Sequence, residues 1–286
     1  MNTRWRPTPY RDAHIGHIPS AFDCWTVARA SGGKFIMLVD DFCYMMQNIW
    51  VQSWSVKHAA ERFAEDLQWL GCGPDEVIYS TSNGAAHADA AQRLGLTAPG
   101  RTAGRWTPDS LCAPLPAIAG GVRTVWGGAS FCEYYTMVKV VDDHEAGIGC
   151  FSRGADLLYE AEAYATMWGR LYPAGQPPIQ RYVPTICIDK QKVSKSDRNA
   201  ITIRDLREAG YTGQQVMDTM LTLLDAGTET RVDVPADVLT TDKVSALERG
   251  LSAELRANRE EALKWYGEGQ WGRDVVAAID GTVKGK

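Results

Sequence analysis

The chain has 286 residues, of which 45% are hydrophobic and 23% charged, so it can form the packed core of one or two domains. Its net charge of −5 does not indicate a broad nucleic-acid-binding surface, although a local basic cleft is compatible with it. The N-terminal residues lack the apolar core of a signal peptide, and no stretch approaches the ~20 apolar residues of a membrane span. We therefore expect a soluble, cytoplasmic protein with no membrane partner.

The seven cysteines are scattered and never spaced as CxxC. Structural metal sites need clustered ligands, and the five histidines do not stand near any cysteine pair. The cysteines are therefore predicted to be reduced, mostly buried thiols, and we predict no protein-bound metal site.

The first part of the chain predicts alternating strands and helices. A short strand ends at Pro7, and a helix begins at Ile18 and is ended by Gly32. The run "KFIMLVDD" is typical of a buried parallel strand, and a helix from about Ile49 to Leu70 and the strand "EVIYST" follow it. This β-α-β-α-β order predicts an α/β protein with a Rossmann-like, doubly wound parallel sheet.

The middle of the chain, rich in glycine and proline, predicts a minimal, loop-rich insertion. After it we predict a strand from Tyr135 to Asp142, a helix over about 156–172, a single strand in "RYVPTICIDK", and helices over 202–224 and in the tail "DKVSALERGLSAELRANREEALKWYG". The predicted parts are the first half of the core (1–95), the shortened insert (96–128), the second half (129–201) and a helical C-terminal segment (202–286).

The stretch "TPYRDAHIGHIPSAF" places two histidines and a glycine between the first strand and the first helix. In a parallel sheet this turn lies at the carboxyl end of a strand, where ligands bind, and a helix N-terminus there favours a phosphate. Gly16 permits close approach to the backbone, and the imidazoles of His14 and His17 can donate hydrogen bonds to phosphate oxygens. Taken alone, however, the tetrapeptide "HIGH" at 14–17 is equally compatible with ordinary surface or helix-capping histidines.

A second element, "KVSKS", follows a predicted strand and holds Lys192, Ser194 and Lys195. Two lysines three residues apart can clamp a polyphosphate whose charge grows as pyrophosphate leaves. By itself, a solvated basic loop explains this pattern equally well. The presence of both elements, in this order and each after a strand, favours the nucleotide-binding interpretation.

Together the two elements resemble the HIGH and KMSKS signatures of class I aminoacyl-tRNA synthetases. Longer stretches are similar to glutamyl-tRNA synthetases: "TRWRPTPYRDAHIGH", "MLVDD", "ERFAEDLQWLGCGPDEVIYSTS" and "YTMVKVVDDHEAGIGCFSRGADLL". The form "RGAD" is closer to the short glutamyl-Q-tRNA(Asp) synthetases. The resemblance covers about Thr3–Ser82 and Val125–Leu224.

The resemblance implies activation of an amino acid by ATP and Mg²⁺, followed by transfer of the acyl group to an acceptor. It implies that His14, His17, Lys192 and Lys195 are catalytic, and that ATP is bound by Thr8, His14, Gly16, His17, Lys192, Ser194 and Lys195. Amino-acid-binding residues carried over by register are Arg4, Arg6, Thr8, Asp40, Tyr135, Lys139 and Arg153.

The amino-acid site departs from the family pattern at three positions. Asp40 stands where the family has glutamate, Lys139 where asparagine is usual, and Arg6 where a small residue is found. Because arginine forks pair well with carboxylates, a site with Arg4, Lys139 and Arg153 still predicts an acidic substrate such as glutamate. This prediction depends on Lys139 pointing into the site.

The acceptor is open between a tRNA and a non-tRNA amine or carrier, and a non-catalytic paralogue that binds an amino acid or a protein is a third alternative. The insert is shorter than the family's acceptor-stem-binding insert, and the chain ends where an anticodon-binding domain would begin. Within 96–128 the cations are Arg101, Arg105 and Arg123. Because phosphate contacts dominate nucleic-acid affinity, this composition predicts weak, salt-sensitive RNA binding and slightly favours a non-tRNA acceptor.

Overall fold

The computed structural model describes residues 1–8, 12–41, 56–96, 101–102, 105–106, 133–188, 191–193, 201–228, 230–235 and 238. In chain order its strands and helices are β1 (Asn2–Trp5), α1 (Ile18–Ser31), β2 (Phe35–Val39), α2 (Val56–Trp69), β3 (Glu76–Tyr79), α3 (Gly84–Leu94), β4 (Arg101–Thr102), β5 (Arg105–Trp106), α4 (Glu133–Glu145), β6 (Ile148–Gly154), α5 (Ala161–Leu171), β7 (Ile179–Val183), β8 (Thr185–Ile188), β9 (Gln191–Lys192), α6 (Ile203–Glu208), α7 (Gly213–Ala226) and β10 (Arg231–Val234). Short 3₁₀ segments span Ile15–His17, Ser80–Asn83 and Ala155–Glu160.

The centre of the fold is a five-stranded sheet in the order β3-β2-β1-β6-β7, in which every neighbouring pair is parallel. All five residues of β2, the "FIMLV" run, are buried, as a strand covered on both faces requires. The predicted α/β, Rossmann-like parallel sheet is therefore confirmed.

Helices cover both faces of the sheet. On one face, α1, α2, α6 and α7 share a hydrophobic core with Trp5, Phe35 and Met37. On the other, α3, α4 and α5 share a second core with Phe151 of β6. Since side chains alternate along a strand, Arg4 points away from the first core and toward α4, which it contacts.

Residues 135–142 form part of helix α4, so the prediction of a strand there is wrong. The apolar run "MVKVV" is buried on nearly every side, and a continuous buried run does not separate a strand from a buried helix by periodicity. The polar residues carry the correct period, since Tyr135, Lys139, Asp142 and Asp143 recur at i, i+4, i+7 and i+8. This spacing is what turns them toward the candidate site.

The segment "RYVPTICIDK" contains two strands rather than the predicted single strand. β7 ends at Val183, and β8 begins at Thr185 in a second sheet of order β10-β8-β9. Pro184 between them has no backbone N–H to donate to a ladder, which explains the break. The segment after 202 contains the two expected helices α6 and α7, and also β10, a strand that was not predicted.

Some predicted parts fall outside the described residues. Of the insert 96–128, the structure describes Leu96 and the antiparallel pair β4–β5, and the tail helix after 241 lies beyond the described ranges. Among the described helices, none is long and apolar enough to cross a membrane.

Candidate active site

The candidate site lies at the carboxyl edge of the parallel sheet, where ligands bind in open α/β folds. Arg6 and Thr8 follow β1, Asp40 follows β2, and Ser80 follows β3. Arg153 lies near the end of β6. Residues from distant parts of the sequence therefore meet at one edge.

The two histidines of the HIGH-like segment are fixed by their own backbone. Nδ1 of His14 accepts a hydrogen bond from Gly16 N at 3.1 Å, and Nδ1 of His17 accepts one from His14 N at 3.2 Å. The rings stack with centroids 3.8 Å apart. Because each Nδ1 is an acceptor, the ring proton of a neutral imidazole lies on Nε2, which gives a donor of the kind that binds phosphate oxygens.

The HIGH-like segment lies beside the residues that flank the lysine loop. Ile15 N donates to Ile201 O at 3.1 Å, just after the loop. A Cβ placed on Gly16 would lie 3.6 Å from Cβ of Val193, at the start of the loop, and 2.9 Å from the His14 ring. A side chain at position 16 would therefore displace the His14 ring and make an ordinary contact with Val193.

Lys192 ends β9, with its side chain half exposed, and its ammonium pairs with the carboxylate of Asp156. Asp156 belongs to the "RGAD" sequence, so this ion pair connects the lysine loop with the end of β6. Ser194 and Lys195 lie outside the described residues, and their assignment stays a prediction.

Arg4 forms a buried, bidentate ion pair with Asp143. Its Nε lies 2.7 Å from Oδ1 and its Nη2 2.8 Å from Oδ2, and Tyr164 also donates to Oδ2 at 2.7 Å. Burial alone would lower the pKa of Arg4, but Asp143 raises it above its usual value. Two of the N–H groups of Arg4 are thus directed at a carboxylate of the protein itself.

Asp142 accepts four hydrogen bonds and joins three parts of the fold. Oδ2 accepts from Arg6 Nη1 at 2.8 Å and from Ser80 at 2.6 Å, whereas Oδ1 accepts from Asn83 and from Nε2 of His87, both at 2.8 Å. Burial alone would raise the pKa of Asp142, but the Arg6 charge and the hydrogen bonds lower it to about 2. Arg6 is therefore held by an anchored carboxylate.

Asp40 connects this cluster with Tyr135. Its Oδ2 accepts from the Tyr135 hydroxyl and, at 3.5 Å, from Thr8 Oγ1, and its Oδ1 lies 3.4 Å from Nη2 of Arg6. The ring of Tyr135 in turn faces the ammonium of Lys139, 4.7 Å from the ring centroid. Arg6, Thr8, Asp40, Tyr135 and Lys139 thus form one connected polar network, beside the Arg4–Asp143 pair.

Glu160 pairs with two of the predicted amino-acid-binding cations through a single oxygen. Its Oε2 lies 2.9 Å from Lys139 Nζ and 2.9 Å from Arg153 Nη1. Burial alone would raise the pKa of Glu160, but these two cations lower it. Burial and the charges of Arg153 and Arg6 together lower the pKa of Lys139, although Glu160 raises it. Lys139 therefore points into the site, as the acidic-substrate prediction requires.

The structure brings together the predicted residues Arg4, Arg6, Thr8, Asp40, Tyr135, Lys139 and Arg153, and it places Lys192, His14, Gly16 and His17 in the adjoining loops. Sequence reasoning missed their carboxylate partners Asp142, Asp143 and Glu160, as well as His87. The helical spacing within "VVDD" was the available signal for the first two. Nothing local in the sequence marks Glu160, because its partners are set by the fold.

Mg²⁺ is expected as the counterion of the ATP triphosphate. Within the described ranges, no group of three or more His, Cys, Asp or Glu side chains is arranged to hold a metal ion. The residues here thus offer cations and N–H donors for the phosphates, and we assign no protein ligand to the ion.

A parallel sheet with a histidine–glycine turn at its carboxyl edge, beside the residues that flank the lysine loop, is the arrangement expected from the resemblance to class I aminoacyl-tRNA synthetases. Residues 1–94 match the family of tRNA synthetases class I (E and Q), catalytic domain.

The similar curated proteins are glutamate–tRNA ligases. Those of Frankia casuarinae and Paracidovorax citrulli are each 24% identical, in alignments of 258 and 281 positions that cover 74% and 78% of this chain and 53% and 56% of theirs. The protein of Xanthomonas oryzae pv. oryzae is 34% identical over 93 residues, or 32% of this chain and 18% of its own. The chain spans about half the length of the first two relatives.

Two solved structures share the fold at low sequence identity. A glutamate tRNA ligase from Elizabethkingia meningosepticum, in complex with its amino acid, superposes with a TM-score of 0.58 at 14% identity, covering 97% of this chain and 76% of that one. Glutamate-tRNA synthetase from Elizabethkingia anophelis gives 0.56 at 13% identity, covering 97% and 77%.

Proposed function

We propose that the protein activates an acidic amino acid, glutamate or a close relative, with ATP. The α-carboxylate attacks the α-phosphorus in line, the bond to the bridging oxygen of the β-phosphate breaks, and an aminoacyl-adenylate and pyrophosphate form. The observation that carries this proposal is the contact between the HIGH-like segment and the residues flanking the lysine loop, at the carboxyl edge of the sheet.

In this reaction the protein supplies position and charge rather than a nucleophile. Nε2–H groups of His14 and His17 donate to the triphosphate, and the small size of Gly16 keeps the backbone accessible. Lys192, Lys195 and Ser194 hold the β- and γ-phosphates, so that their contacts strengthen as charge develops on pyrophosphate. Mg²⁺ bound to ATP neutralises part of that charge.

The acidic amino acid binds in the connected polar network. The carboxylate of Asp40 suits the substrate ammonium group, with Tyr135 and Thr8 orienting that carboxylate. Arg153 and Lys139 suit the side-chain carboxylate. Arg4 and Arg6 lie at the same sheet edge, where Asp143 and Asp142 pair with them and hold them in place.

The acceptor of the acyl group is a tRNA or a non-tRNA amine or carrier. The match of residues 1–94 to the synthetase family supports tRNA, whereas the few cations of 96–128 support the alternative. A filter-binding titration against total tRNA at two salt concentrations separates them. Tight binding that survives physiological salt, together with charging, supports tRNA, and weak binding with charging of an amine supports the alternative.

Amino-acid-dependent exchange of pyrophosphate into ATP, measured across a panel of amino acids with and without RNA, tests the activation step. We expect the fastest exchange with glutamate or aspartate. Faster exchange with a neutral or basic amino acid would contradict the acidic substrate. Absence of both exchange and ATP binding would support a non-catalytic paralogue instead.

A further inference from the structure

The charges of the polar network and of the Arg4–Asp143 pair beside it balance among their described members. The cations are Arg4, Arg6, Lys139 and Arg153, and the carboxylates paired with them are Asp40, Asp142, Asp143 and Glu160. A substrate with a side-chain carboxylate brings one more negative charge into a largely buried region. Since an unpaired buried charge is costly, one protein carboxylate has to give up its cation to accommodate it.

Two of the four carboxylates, Asp143 and Asp142, are poorly suited to give up their cations. Asp143 is fully buried, is paired through both oxygens with Arg4 and also accepts from Tyr164. Asp142 is fully buried as well and accepts four hydrogen bonds. Displacing either would strand several donors at once, each with a desolvation cost.

Asp40 is also a poor candidate, because the substrate ammonium group needs its charge. It is buried, and Tyr135 donates to it. Its loss would leave the positive end of an amino acid without a partner, so exchange at Asp40 would oppose substrate binding.

Glu160 is held less firmly than the other three carboxylates. It lies at the end of the short 3₁₀ segment Ala155–Glu160, and its side chain is 10% exposed. The described bonds to both cations use one oxygen, Oε2. Arg153 is not gripped by a fork, and its Nε is buried with no hydrogen-bond partner in the described part of the chain. Nη2 of Arg153 is bound to Gln180 and Tyr182, so the donors that a second carboxylate can take over are Nη1 of Arg153 and Nζ of Lys139, with one oxygen for each instead of one shared oxygen.

We propose that Glu160 is a specificity-determining residue, whose carboxylate competes with the side-chain carboxylate of the substrate for Arg153 and Lys139. This inference rests on the proposed acidic substrate and deepens it. The site binds an acidic amino acid by carboxylate exchange, so Glu160 sets the affinity for glutamate and its preference over the neutral glutamine.

The test is the dissociation constant of glutamate and of glutamine, measured by titration calorimetry on the full chain and on Glu160→Gln. Removing the competitor raises the fraction of binding-competent protein. We expect glutamate to bind roughly tenfold more tightly, the change for a competent fraction of about a tenth. Glutamine should gain less, so that the ratio of the two constants shifts toward glutamate. Glu162→Gln, an exposed residue one position into α5, is the matched control and should change neither constant.

Unchanged or weaker glutamate binding in Glu160→Gln, or no glutamate binding by either protein, would overturn the inference. The double variant Lys139→Gln/Glu160→Gln removes both members of the buried pair and keeps the charges balanced. It should lose much of the gain, because one contested cation is gone. Pyrophosphate exchange is measured separately: glutamate binding with the expected shift but no exchange would contradict the proposed activation and leave the Glu160 competition supported.

Discussion

Two groups of buried ion pairs at the same sheet edge differ in how their cations are bound. Arg4–Asp143 is bidentate and supported by Tyr164, whereas Arg153 and Lys139 share one oxygen of Glu160, whose side chain is 10% exposed. The first pair joins β1 to α4, and the second joins β6 and α4 to a short 3₁₀ segment. The comparison teaches that opposite charges in a site serve two purposes: some fix the scaffold, and others can be exchanged with a ligand.

Asp143→Asn should have the largest effect on stability. It leaves Arg4 buried without its charged partner, and breaking a buried pair costs about 3–5 kcal/mol. Glu160→Gln should cost less than half as much, because Arg153 keeps its bonds to Gln180 and Tyr182, and Lys139 keeps its contact with the Tyr135 ring. Urea unfolding of both variants checks this, and equal losses would remove the distinction between the pairs.

Lys195→Ala should slow adenylate formation without destabilising the fold, because this lysine acts on the leaving pyrophosphate. Its contact strengthens as pyrophosphate leaves, so we expect the rate of adenylate formation to fall on the order of 10²-fold, with a smaller change in ATP affinity. Unfolding free energy should stay as in the wild type. Pre-steady-state kinetics measures the rate. Lys34→Ala, which removes an exposed lysine distant from Lys195 in the sequence, is the control. Weakened ATP binding at an unchanged rate would contradict the assigned role.

Asp142 should make the unfolding free energy of the protein depend on pH in the acid range. The pKa of Asp142 is lowered from its usual value of 3.8 to about 2, so its ionised form stabilises the fold above pH ~4, and that contribution is lost as the pH falls toward 2. The shift corresponds to about 2 kcal/mol. Urea unfolding between pH 6 and pH 2 should therefore show a smaller decline in Asp142→Asn than in the wild type. Parallel declines would show that Asp142 does not carry the effect.

The smallest effect should come from a pair with the geometry of Arg4–Asp143 but not its burial. Arg181 binds Asp23 through Nε at 2.7 Å and Nη2 at 2.8 Å, yet the arginine side chain is 48% exposed. Exposed ion pairs contribute about 0.2–1 kcal/mol, so Asp23→Asn should change the unfolding free energy by no more than that. A loss as large as that of Asp143→Asn would mean that the fork geometry, rather than burial, decides the cost.

The sequence predicts what local pattern controls. The buried run of β2, the β-α-β-α-β order of the first part of the chain and the turn that carries His14 and His17 follow from short-range spacing. The helix α4 was predicted as a strand because its burial masks the helical period. The pairing of Arg6 with Asp142 spans 136 residues, and Glu160 gains its role from cations on two other elements. Such partners are brought together by the fold, so no local spacing in the sequence predicts them.

The most direct test of the proposed activation follows one oxygen atom. Glutamate labelled with ¹⁸O in both α-carboxylate oxygens is incubated with ATP and the protein, and hydroxylamine captures the activated acyl group. If the carboxylate attacks the α-phosphorus, the later cleavage of the acyl C–O bond leaves one labelled oxygen on AMP, which mass spectrometry detects. We predict singly labelled AMP in amounts equal to the hydroxamate. Unlabelled AMP, or label in inorganic phosphate together with ADP, would contradict adenylate formation.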